Sequence, residues 1–74
     1  MRKYRVEELC GLKLIASHRV AAKDAKAAAV EVAGEPVSAR YSHKYWYRVV
    51  EEAGGASYEF GVRQRRYGST SARP

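Results

Sequence analysis

Large aliphatic side chains are scarce in this chain of 74 residues: three Leu, one Ile and one Met stand beside eight Val and twelve Ala. A core made from them is small, and a domain of this length buries only about 60% of the surface its unfolded chain exposes. Six Tyr, one Trp and one Phe must supply much of the remaining core. Cysteine is nearly missing. The single Cys10 excludes a disulfide framework and a zinc site built on several cysteines. No apolar stretch approaches the roughly 18 residues of a membrane-spanning helix, and the opening residues do not read as a secretory signal. The expectation is one cytoplasmic domain with no membrane partner.

Acidic residues are missing from the C-terminal end. Of 14 Lys and Arg against eight Asp and Glu, residues 1–60 hold ten basic and eight acidic groups. Residues 61–74 hold Arg63, Arg65, Arg66 and Arg73 and no acid. The excess charge therefore sits mainly in a terminal stretch without apolar periodicity, and residues 64–74 read as a disordered basic tail. Such a tail attracts phosphate through counterion release, or simply keeps a small protein solvated.

The remainder, residues 1–63, reads as a compact α+β domain in β-β-α-β-β order, with one antiparallel sheet and one helix on one face. Tyr4–Glu8 and Leu12–Val20 alternate like strands, and Gly11 suits the third position of a three-residue loop over 9–11. That register sets Val6 opposite Leu14 and puts Leu12, Leu14, Ala16, His18 and Val20 on the core face. Asp24 is a good N-cap for an Ala-rich helix, Ala25, Ala28, Ala29 and Val32 share one side of it, and Gly34 and Pro36 end it. Residues 37–43 are ambiguous between a short edge strand and a loop. Residues 44–51 and 57–63 form the second hairpin. A two-residue Gly54-Gly55 turn sets Trp46 across from Arg63, and a four-residue loop keeps the same faces. The core face then carries Tyr45, Tyr47, Val49, Tyr58, Phe60 and Val62.

Enzymatic motifs are lacking: there is no phosphate-cradling glycine loop, nucleophile elbow or HExxH pattern. Glu7-Glu8 and Glu51-Glu52 are strand neighbours, which point to opposite faces and cannot converge on one substrate. Cys10 reads as a turn residue with no third group to orient a base, and its spacing to His18 and His43 fits no metal-ligand pattern. His18 reads as a partly buried strand residue. No catalysis, cofactor, metal or small-molecule substrate is expected.

The stretch from Tyr41 to Arg48 interleaves three Tyr, a Trp and a His with Lys44 and Arg48. Cations beside flat rings suit nucleic acid, because bases stack on rings while cations neutralise phosphate. The predicted helix-free face would gather Trp46, Arg48 and Arg63 with Arg5, Ile15 and Arg19, helped by Lys44, Arg65 and Arg66. The leading expectation is a non-catalytic module that binds nucleic acid through this face. The same face, with Trp46, Val50 and Ile15 uncovered, would equally serve a homodimer or another protein partner.

Tyr58–Arg63 is similar to the aromatic strand of RNA-recognition motifs, without their leading basic-glycine pair and in a chain with one helix where they have two. The size and the Trp in the strand after the helix resemble dodecins, small flavin-binding oligomers that have one strand before a longer helix. Both resemblances are of order and size, and neither carries a residue role to this chain.

Overall fold

The computed structural model of the chain describes residues 1–40 and 44–62. The elements are β1 (Arg2–Cys10), β2 (Lys13–Ala22), α1 (Ala25–Ala33), β3 (Val37–Ala39), β4 (Tyr45–Glu51) and β5 (Ser57–Val62). The order is thus β-β-α-β-β-β: the expected order lacked β3, and the ambiguous stretch after the helix contributes this short strand. All pairings are antiparallel, and the sheet order is β2-β1-β4-β5-β3. The expected tail over 64–74 lies outside the described residues.

The helix has the predicted bounds. Asp24 is extended and its Oδ1 accepts from the Ala27 N–H at 2.8 Å, while Gly34 closes the other end at φ 74° with its N–H on the Val30 carbonyl. Ala25, Ala28 and Ala29 are buried against one side of the sheet, where Tyr4, Val6, Ala22, Val37, Val49 and Val62 complete the core. Methyl side chains let the helix axis approach the strands closely. Nine residues span only about 14 Å, against about 33 Å for the ten of β2, so one helix cannot cover the whole face. Tyr45 and Tyr58, expected in the core, are consequently exposed, and Tyr47 and Phe60 are half-buried.

Both hairpin registers differ from expectation, while most faces survive. The first turn is two residues, Gly11-Leu12, with Cys10 opposite Lys13. Gly11 has φ 61°, the sign a primed hairpin turn asks of its first central residue. A bulge at Ile15 then shifts the register, so that Glu8 faces Ala16, Val6 faces His18 and Tyr4 faces Val20. The extra residue restores the side-chain parity that the three-residue loop would have given, which returns Ala16, His18 and Val20 to the helix side. Leu12 and Leu14 do not join the core: Leu12 stands in the turn and Leu14 lies on the opposite face beside Leu9. His18 is exposed on the edge strand, and Cys10 is a half-buried strand residue, not part of the turn. In the second hairpin the four-residue alternative is realised: Glu51 N–H bonds the Ala56 carbonyl, Val49 faces Tyr58, and Trp46 faces Gly61, so Arg63 is not its partner.

Candidate interaction surface

The helix-free face is ordered in cross-strand rows. One row runs Leu14, Leu9, Trp46, Gly61, Ser38, and the next runs Ser17, Glu7, Arg48, Glu59. Trp46 lies on this face as expected but is only 1% exposed, so its ring is not offered to a ligand. Gly61 opposite has no side chain to compete for the space. The indole Nε1 donates to the Gly11 carbonyl at 2.8 Å, and the Arg40 guanidinium lies 3.8 Å from the ring centroid as a cation–π lid. Arg48 stands 5.3 Å from the same centroid.

Arg5, Arg19 and Arg48, expected to meet phosphate, already meet carboxylates. Arg48 Nη1 donates to Glu7 Oε1 at 3.1 Å, and Arg5 Nε lies 3.6 Å from Glu7 Oε2. Arg19 grips Glu52 with two hydrogen bonds of 2.9 and 3.1 Å, holding that carboxyl below its ordinary range chiefly through the bonds themselves. Arg40 reaches Glu59 at 3.2 Å and Arg2 lies 3.7 Å from Glu51. Each adjacent acid pair thus splits: Glu7 serves Arg5 and Arg48 on one face, and Glu51 and Glu52 serve different arginines. Exposed pairs of this kind contribute little stability, but they lower the local positive potential on which counterion release depends.

Three exposed aliphatic side chains lie at one end. Leu12 is 95% exposed at the hairpin tip, Leu14 53% and Ile15 49%, and Tyr45, opposite Cys10, is exposed as well. The tip is tied down, since the Gly11 N–H donates to the Lys44 carbonyl at 2.8 Å. Behind it β2 is an edge strand, with β1 as its single neighbour among the described residues. Of the expected site residues, Ile15 and Lys44 belong to this open end. Arg5, Arg19 and Arg48 are paired, Trp46 is sealed, and Arg63, Arg65 and Arg66 lie outside the described residues. Sequence reasoning missed Leu12 and Leu14, which it assigned to the core. It also missed Arg40, whose spacing of six residues from Trp46 gives no sign of stacking.

Among the described residues no group of three or more His, Cys, Asp or Glu is placed to hold a metal ion, and no helix is long and apolar enough to cross a membrane. The chain matches no known family model, and no curated protein or solved structure is significantly similar to it.

Proposed function

We propose that this chain is a small non-catalytic interaction module that docks a protein partner through the free end of the β1–β2 hairpin. The observation that supports it is the exposure of Leu12, in the hairpin turn, together with Leu14 and Ile15 at the start of the edge strand β2. In a chain with four Leu and Ile in all, three are held out to solvent. Burying such a side chain is favourable by roughly 1.5–3 kcal/mol, so covering the cluster provides a substantial driving force. The single free thiol suits a reducing, cytoplasmic setting. A nucleic-acid platform on the helix-free face has less support, because Trp46 is enclosed and Arg5, Arg19 and Arg48 are engaged with Glu7 and Glu52.

Photocrosslinking in the native cell tests this reading. A benzophenone side chain at Leu12 should give a discrete protein adduct, and the same group at Ala53, in the exposed loop of the other hairpin, should not. No adduct from Leu12, or the same adducts from both positions, would overturn the docking surface.

A further inference from the structure

We infer that the occupant of the β2 edge is an extended acidic peptide segment, added to the sheet as a sixth strand; this rests on the docking surface proposed above. Strand β2 spans ten residues, Lys13–Ala22, and among the described residues it pairs on one side only. Along its other side the backbone N–H and C=O groups of alternate residues have no partner among the described residues, which is the template that strand addition uses. The strand holds Lys13, His18 and Arg19 and no carboxylate.

The surrounding charge gives the partner its sign. The five ion pairs among the described residues all use arginines, and none involves Lys13 or Lys44. An incoming strand thus meets Lys13 at its end, with Leu14 and Ile15 directly after it. Alternating acidic and apolar side chains satisfy both, because successive residues of a strand point to opposite faces. A second copy of this chain fits less well: in every register of β2 against β2 it presents Lys, His and Arg and no carboxylate. Nucleic acid would leave the edge amides and carbonyls without strand partners and the aliphatic cluster against phosphate.

The test uses the isotope-labelled full chain, followed by amide NMR and hydrogen exchange, and two ten-residue probe peptides. One alternates Glu with Val, the other Lys with Val. The Glu peptide should shift and protect amides across 13–22, the Lys peptide should not, and Lys13→Glu should weaken the Glu peptide by roughly tenfold. Equal binding of both peptides, no response of 13–22 to the Glu peptide, or a thymidine oligonucleotide perturbing 13–22 instead would overturn the inference. So would sedimentation showing a dimer whose β2 amides are already protected. The two levels separate cleanly. If Lys13→Glu changes nothing while Leu14→Ser abolishes peptide binding, the docking surface stands and the acidic partner falls. If neither peptide binds and Leu12 gives no crosslink, both fall.

Discussion

The indole of Trp46 and the carbonyl of Gly11, 35 residues apart in the chain, are joined by a 2.8 Å hydrogen bond that ties the tip of the first hairpin to the start of β4. The ring is 1% exposed, and deleting a buried Trp side chain costs about 3–5 kcal/mol, much of the stability of a domain this size. Trp46→Ala should therefore unfold the chain or lower its urea midpoint severely. Trp46→Phe, which keeps the packing and loses the bond, should cost about 1–2 kcal/mol. An unchanged midpoint for Trp46→Ala would mean that the ring is not enclosed.

Gly11 and Gly34 sit at φ 61° and 74°, and a Cβ at either would meet nothing within 4 Å. Their cost on substitution is purely one of backbone conformation. Gly11→Ala and Gly34→Ala should each destabilise by about 1 kcal/mol, with similar values in chemical unfolding despite their different surroundings.

The Tyr47 phenol is pushed above its ordinary value by burial, with Glu8 and Glu35 adding to the shift. The folded chain then holds this proton more tightly than the unfolded chain does. Stability should fall as pH rises past the ordinary tyrosine value near 10. Ultraviolet titration should show the Tyr47 phenol ionising late, and Glu8→Gln or Glu35→Gln should bring it part of the way back.

Glu52 behaves in the opposite sense. Its depressed folded value means that the Arg19 pair supports the fold above the ordinary carboxylate range and loses that support as pH falls through the folded value. Arg19→Ala should return the Glu52 carboxyl toward its usual range by NMR titration. Because both groups are open to solvent, the change in unfolding midpoint should be slight and should shrink further with salt.

Ser at Leu12 and Ile15 should leave the unfolding midpoint within roughly 0.5 kcal/mol, since neither side chain is enclosed. In the chain carrying the benzophenone at Leu12, Ile15→Ser should abolish the crosslink. A large loss of stability would place these residues in the fold instead of at an interface.

Local signals made most of the elements legible. Asp24 and Gly34 bracket the helix because capping is decided within a turn, and the alternation in both hairpins assigns most side chains to the correct face. Register was not legible, because it depends on how the turn and bulge divide the chain: Gly11 serves a two-residue turn as readily as a three-residue loop, and nothing about Ile15 announces a bulge. Shifts by an even number of residues keep the faces, which is why Val6, Val49 and Trp46 were placed on their proper sides while Leu12 and Leu14 were not. The enclosure of Trp46 was equally hidden. It depends on Arg40 stacking from β3's end and on Gly11 arriving from another hairpin, both long-range consequences of the sheet order.

The contrast between a sealed face and an open hairpin end is most directly tested by amide and indole NMR with a soluble paramagnetic agent. Broadening should be strongest at residues 12–15, and the Trp46 indole N–H should stay sharp. An indole signal that broadens as much as Leu12 would contradict both the closed face and the choice of docking surface.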